Sequence, residues 1–306
     1  MENHKRIVVC GSVIYDKIQT FKGEIIKSFG GITYSIITLA QLLPDYEIVP
    51  LTWISDTKYQ EFKKFLSQYQ NVNLNYIKKV EKMSHNFLLY TSPEERIEFM
   101  EIAEHSLEIK DLLPFIDNSQ VFLINYTMYS DMPYETLKWL ANAFRNLIYI
   151  DIHSLIRRKK GEKFVPTYEI VPKWGDYVLC GDIIQMNKEE LSYFSGFIIK
   201  EKEDIERIVS LMFMINRALK GVHITLGSEG SYGMWKEEER YESKFFKTKE
   251  TEGDVTGCGD VFGSAFLSHY LKTKNFEKST EFAHKIVLQK LKQKGVNFKL
   301  CLNGCL

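Results

Sequence analysis

Short apolar runs rich in β-branched and aromatic residues alternate along this chain with stretches whose apolar residues recur every three or four positions, and that alternation admits few folds. Strands are expected near Arg6 to Gly11, Glu47 to Ile54, Gln120 to Tyr126, Leu147 to Ile152, Tyr177 to Cys180 and Val222 to Gly227. Helical spacing falls between them, over Ile32 to Leu43, Lys58 to Tyr69, Tyr134 to Phe144, Asp204 to Leu219, Asp260 to Lys272 and Thr280 to Lys294. Parallel neighbours need a crossover, and the crossing helix covers a sheet face, so the pattern implies a mostly parallel sheet with helices on both sides. The 306 residues suffice to bury such a core, and a single α/β domain over residues 1–306 is expected.

Two segments break the rhythm and read as hairpins. Lys17 to Phe21 and Ile25 to Phe29 flank a turn at Gly23, and His85 to Thr91 and Arg96 to Glu101 flank the turn Ser92 to Glu95. Ile97 and Phe99 alternate with Arg96 and Glu98, the pattern of a sheet with one wet face. An isolated hairpin is barely stable, so the two are expected to join into a small sheet, about 17–30 and 84–101, lying over a ligand site as a lid.

Charge narrows the partners. Forty basic residues balance forty acidic ones, which leaves no general field to attract nucleic acid or an anionic membrane. No segment approaches the length of an apolar membrane span, and the five cysteines form neither a CxxC pair nor a zinc-spaced cluster with histidines. A cytoplasmic protein with reduced thiols is expected.

The residues that carry chemistry lie at predicted strand ends and helix starts. In DVTGCGD, Asp254 to Asp260, Gly257 and Gly259 free the backbone to turn its N–H groups toward an anion, and the positive end of the following helix adds to the attraction. Asp260, beside that nest, is placed to take a proton from a hydroxyl as a phosphoryl group arrives. An ordinary turn with an N-terminal acid has the same sequence. In GSVIYD, Asp16 follows a strand, and Gly30 and Gly31 precede a helix; a carboxylate that accepts from two hydroxyls beside such glycines suits a sugar or polyol ring. In QMNKEEL, Asn187 and Glu190 share a helix face and can hold waters around Mg²⁺, although an Asn cap followed by Glu is also a common helix start. In TLGSEG, Thr225, Gly227 and Gly230 follow a strand and offer backbone amides to phosphate, or form a hairpin leading into SYGMW.

These motifs, in this order, resemble the ribokinase-like, PfkB-type carbohydrate kinases, whose signature is usually DTTGAGDAF where this chain has DVTGCGDVF. The resemblance spans nearly the whole chain and implies a three-layer sandwich with a small β-sheet lid. It implies Asp260 as base, the amides of Gly257, Cys258 and Gly259 as anion hole, and Asp16, Gly30, Gly31 and Ser35 on the acceptor side. Asn187, Thr225, Gly227, Gly230 and His284 fall on the nucleotide side, the last in the segment FAH that edges adenine in such enzymes. Glu190 and Asn187 would hold Mg²⁺ through water, and Asp254 and Thr256 fall where some members also bind a monovalent cation such as potassium. The implied activity is phosphoryl transfer from ATP to a polyhydroxyl compound, a sugar, polyol or nucleoside. A non-catalytic nucleotide- or sugar-binding protein on the same fold is the alternative. Two departures stand out: Cys258 replaces an alanine, and Ser35 replaces an asparagine that touches the acceptor in many sugar kinases. Dimerisation through the lid is common among members, and the sequence neither requires nor excludes it.

Overall fold

The computed structural model describes residues 5–20, 22–91, 96–158, 167–248 and 252–301. Phe21 and the expected turn Ser92 to Glu95 lie outside the described residues. The strands in chain order are β1 (Arg6–Cys10), β2 (Val13–Gln19), β3 (Ile25–Gly31), β4 (Glu47–Leu51), β5 (Trp53–Ser55), β6 (Lys78–Val80), β7 (His85–Tyr90), β8 (Arg96–Glu101), β9 (Val121–Asn125), β10 (Leu147–Asp151), β11 (Arg157–Arg158), β12 (Thr167–Tyr168), β13 (Ile183–Asn187), β14 (Gly221–Thr225), β15 (Ser231–Glu237) and β16 (Arg240–Phe246). The helices are α1 (Thr33–Leu42), α2 (Asp56–Leu66), α3 (Ile109–Leu112), α4 (Tyr134–Ala143), α5 (Trp174–Val178), α6 (Lys188–Ser195), α7 (Lys202–Ile215), α8 (Cys258–Thr273) and α9 (Phe276–Leu291).

Eight strands form one sheet in the order β16-β15-β14-β13-β10-β9-β1-β4. Pairing is parallel from β4 through β14 and antiparallel only for β15 and β16. The central strands read as unbroken apolar runs because both faces are covered. Ile7 and Val9 of β1, Val121 and Leu123 of β9, and Leu147 and Tyr149 of β10 pack with α1, α8 and α9. Their neighbours Val8, Cys10, Phe122, Ile124, Ile148 and Ile150 point the opposite way and pack with α4 and α7. The result is the expected three-layer sandwich, a ribokinase-like α/β fold.

The second expectation also holds, in that β3-β2-β7-β8 form a separate four-stranded sheet. Both hairpins join through a parallel pairing of β2 with β7. Ile26, Ile97 and Phe99 remain 41%, 46% and 43% exposed on it. Among the described residues no helix is long and apolar enough to cross a membrane.

Other boundaries differ. The strand expected at Tyr177 to Cys180 is instead the end of α5 and the turn after it, and the sheet takes Ile183–Asn187 between β10 and β14. A four-residue apolar run carries no reliable period. The Asn216 amide then fixes the turn by donating to the carbonyls of Val178 at 2.8 Å and Gly181 at 3.0 Å. The run expected over Glu47 to Ile54 divides into β4 and β5, and the last helix begins at Phe276, where the Asn275 side chain accepts from the Lys278 amide at 2.8 Å.

Candidate active site

Parallel strands deliver their last residues to one edge, and ligands bind outside that edge in open α/β sheets. Here β9 ends in Asn125, β10 in Asp151 and β13 in Asn187, and the N-terminus of α8 faces them, with Gly259 and Asp260 in its first turn. The Asp260 carboxylate accepts a hydrogen bond from Asn125 Nδ2 at 2.5 Å. The same amide lies 3.5 Å from Ser35 Oγ in the first turn of α1. Asp260 is 7% exposed, and burial pushes its carboxyl up to about 6, with the Asn125 hydrogen bond acting in the opposite direction. A carboxylate so tuned is ionised at neutral pH yet accepts a proton more readily than an exposed one.

Gly257 explains the turn that presents this acid. Its φ is +73°, a conformation costly for other residues, and a Cβ there would lie 2.4 Å from the Tyr34 ring. Tyr34 is 2% exposed and stacks on Phe298. Beside Gly259, by contrast, a Cβ would meet nothing within 4 Å, so space opens in front of the helix end. The Cys258 amide donates to the Val255 carbonyl at 3.2 Å inside the turn, so of the three amides expected to meet an anion this one is already engaged.

Asp16 reaches the same region from β2. A Cβ on Gly30 would sit 2.2 Å from its Oδ2, so the carboxylate lies across the glycine backbone in a way that only a residue without a side chain permits. Gly31 ends β3 and leads into α1, whose Ser35 is 1% exposed. The loops after β1 and β9 are tied together: Ser12 Oγ donates to Asp131 Oδ1 at 2.5 Å, and Thr127 Oγ1 donates to Asp131 Oδ2 at 3.0 Å. Asn125 links Ser35 to Asp260, and Asp16 lies against Gly30. Burial raises the Tyr34 hydroxyl, and Tyr34 is near enough to Asp16, Asp254 and Asp260 for each of their charges to raise it further.

On the other side of Asp260 lies a second group of carboxyls. Asp151 accepts from Gln185 Nε2 at 2.8 Å, and Gln185 Nε2 also donates to the Gly259 carbonyl at 3.0 Å, which ties β10 and β13 to the α8 turn. Burial raises the Asp151 carboxyl well above the usual aspartate range, and the charges of Glu190 and Asp260 raise it further. Burial likewise lifts Glu190 to about 7. Asn187 and Glu190 form a reciprocal cap, the Glu190 amide donating to Asn187 Oδ1 at 2.8 Å and the Asn187 amide to Glu190 Oε2 at 2.7 Å. The helix-start reading of this pair is thus correct. It leaves room for the second role, because the cap fixes the Glu190 carboxylate near Asp151 and Asp260. Carboxyls that raise one another's proton affinity are a donor set suited to a hard divalent cation. Among the described residues no three His, Cys, Asp or Glu side chains converge on one point, so direct protein ligands would be few.

The remaining expected residues are more dispersed. Thr225 ends β14 in register with Asn187 and Ser231. Gly227 starts a short turn, and the Gly230 amide donates to the Gly227 carbonyl at 3.2 Å, so it serves the turn. His284 Nε2 lies 2.9 Å from Ser231 Oγ, and its ring packs among Phe262 and Phe246. The Asp254 carboxylate accepts from the amides of Thr256 at 3.0 Å and Gly295 at 2.6 Å, and pairs with Lys290 Nζ at 3.2 Å.

Sequence reasoning overlooked Asn125, Asp151, Gln185 and Lys290. The signal for the first two was a polar residue closing an otherwise apolar strand, in VFLIN and LIYID. Asn125 matters most, since its amide, at the end of β9, meets both the Asp260 carboxylate and, at 3.5 Å, the Ser35 hydroxyl on α1.

A family model for pfkB family carbohydrate kinases matches residues 5–301. A search of curated proteins finds no match. Among solved structures, the sulfate complex of a pyrophosphate-dependent kinase in the ribokinase family is 21% identical, covers 93% of this chain and 95% of its own, and superposes with a TM-score of 0.75. A pyrophosphate-dependent kinase of the ribokinase family complexed with a pyrophosphate analog and myo-inositol gives 20%, 94%, 96% and 0.73. Ribokinase from Arabidopsis thaliana, complexed with ribose and ATP, gives 19%, 95%, 93% and 0.73. These likenesses carry the fold, and the family match covers nearly all of the sequence: the chain belongs to the pfkB family of carbohydrate kinases.

Proposed function

We propose that this protein is a small-molecule kinase that transfers the terminal phosphoryl group of ATP to a hydroxyl of a sugar or polyol. The observation that carries the reading is the position of Asp260, a buried carboxylate in the first turn of a 16-residue helix, directly after a glycine turn and beside open space. In this reading Asp16 and Asn125 orient the acceptor hydroxyls, and Asp260 removes the proton of the one that attacks. The amides of Gly257 and Gly259, with the helix dipole behind them, stabilise charge on the moving phosphoryl group. Cys258 contributes through its place in the turn. Bound Mg²⁺ would supply positive charge against the negative charge of the phosphates. Glu190 and Asp151, with Asn187, would hold it through its retained waters, and Thr225 and the Gly227 turn flank the donor. The sheet β3-β2-β7-β8 acts as a lid that excludes water from the transferable group.

Pyrophosphate is a second reading for the donor. His284, expected at the adenine edge, is occupied by Ser231 and aromatic packing. Two structures similar to this chain are those of pyrophosphate-dependent kinases. One experiment separates the cases: ADP or phosphate release is followed with magnesium and either ATP or pyrophosphate across pentoses, hexoses, inositols and nucleosides. Saturable turnover with ATP and an uncharged polyol is the expected result. Turnover with pyrophosphate alone reassigns the donor, and turnover with nucleosides alone reassigns the acceptor. ATP binding with no product from any acceptor identifies a non-catalytic binding protein.

A further inference from the structure

Lys290, near the end of α9, is 0% exposed. Lysine is almost never wholly buried without a partner, because stripping water from an ammonium is expensive. Its Nζ donates to the Asp254 backbone carbonyl at 2.8 Å and pairs with the Asp254 carboxylate at 3.2 Å, while the Tyr34 ring centroid lies 5.6 Å away. The contacts continue along the chain. The Asp254 amide donates to the Leu291 carbonyl at 2.9 Å, and a Cβ on Gly253 would stand 2.0 Å from that same oxygen. The end of α9 therefore grips the segment 253–254 immediately before the glycine turn. Tyr34, against which the ammonium rests, is also the ring that Gly257 abuts. The positive charge also works against the burial that raises the acids of Asp260 and Cys258.

A carboxylate oxygen, a carbonyl oxygen and an aromatic face are partners that a monovalent metal ion also accepts, and an ammonium carries the same charge. We propose that Lys290 is a resident cation for the phosphate-binding turn, a positioning residue whose ammonium fixes Asp254 and so makes activity independent of added potassium. The monovalent-cation role expected of Asp254 and Thr256 is thereby taken over by the chain itself. The inference rests on the kinase reading above, and its test includes a readout that does not need turnover.

Rates of the protein are compared with tetramethylammonium, too large to enter, as sole monovalent cation and with potassium or ammonium added. The expected ratio stays within about twofold. Lys290→Ala, which opens a space beside Asp254, is expected to lose about a hundredfold in kcat and to regain at least about tenfold with potassium, ammonium or methylammonium. Lys290→Met, which keeps the bulk and lacks the charge, is expected to lose activity without rescue. Potassium should likewise raise the Tm of Lys290→Ala and leave that of the parent unchanged, a result available even if no acceptor is ever found. Strong potassium activation of the parent overturns the proposal, as does full activity of Lys290→Ala in tetramethylammonium. Loss of activity and Tm that no cation restores shows a purely structural ion pair, and also overturns it. Should Lys290→Ala fail to fold, the parent's response to potassium still decides.

Discussion

Asp260→Asn lowers kcat by about a thousandfold and leaves the dissociation constant of Mg·ATP within about threefold of the parent, because a general base acts only on the proton that moves. The asparagine is nearly isosteric and retains an oxygen for Asn125 Nδ2, which donates to Asp260 at 2.5 Å, so the geometry should survive. Stability gives a second signature. Burial raises the folded-state acid from 3.8 to about 6, so the folded chain prefers the protonated form, and ionising the group costs stability that is lost progressively as pH rises from about 4 to 6. Above that window the variant, with no charge to bury, should melt no lower than the parent. The parent's kcat/KM should rise with pH through about 6 as Asp260 ionises, and the residual kcat/KM of the variant should lack that limb. A coupled ADP-release assay from about pH 5 to 8, with calorimetric binding and thermal melting of both proteins, checks these four outcomes. Turnover of Asp260→Asn comparable to the parent at saturating substrates would remove the base from the account.

Gly257→Ala is expected to be nearly as damaging, for a different reason. The left-handed backbone at +73° disfavours any side chain by about 1–2 kcal/mol, and the new Cβ would stand 2.4 Å from a Tyr34 ring that cannot retreat. Tyr34 is buried, stacks on Phe298 and has the Lys290 ammonium against its ring, so the turn is expected to move instead. Moving it displaces the amides proposed to face the phosphoryl group, and loss of one such donor typically costs about a hundredfold or more in kcat. The expected result is a fall of that size in kcat with a Tm several degrees lower, measured by the same assay and by thermal melting. An unchanged kcat would mean that these amides do not meet the reacting group.

The architecture was legible because both signals it needs are local. Apolar runs such as Arg6–Cys10 and Leu147–Asp151 announce strands buried on both faces, and the helical spacing between them announces the crossovers. The small sheet was legible from alternation flanking two turns, though the exposure of Ile97 and Phe99 was not, since a period of two says which side chains share a face and nothing of what covers it. Tyr177 to Cys180 misled because four apolar residues fit a helix end as well as a strand. Within the site, Asp16, Gly30, Gly257 and Asp260 were visible as motifs of adjacent residues. Asn125, Asp151 and Gln185 converge on α8 from three different strands, and only the order β13-β10-β9 brings them together. Lys290 was invisible for the same reason: its partner Asp254 is remote in sequence, and on a helix rich in lysines it reads as one more solvated charge.

The most direct test is a crystal structure of the protein with the acceptor identified by the screen, magnesium, ADP and tetrafluoroaluminate, a planar mimic of the phosphoryl group in flight. The account places the fluoroaluminate against the amides of Gly257 and Gly259, with the acceptor hydroxyl in line and within hydrogen-bond reach of the Asp260 carboxylate. A fluoroaluminate seated away from the start of α8, or an acceptor whose nearest base is another residue, contradicts it.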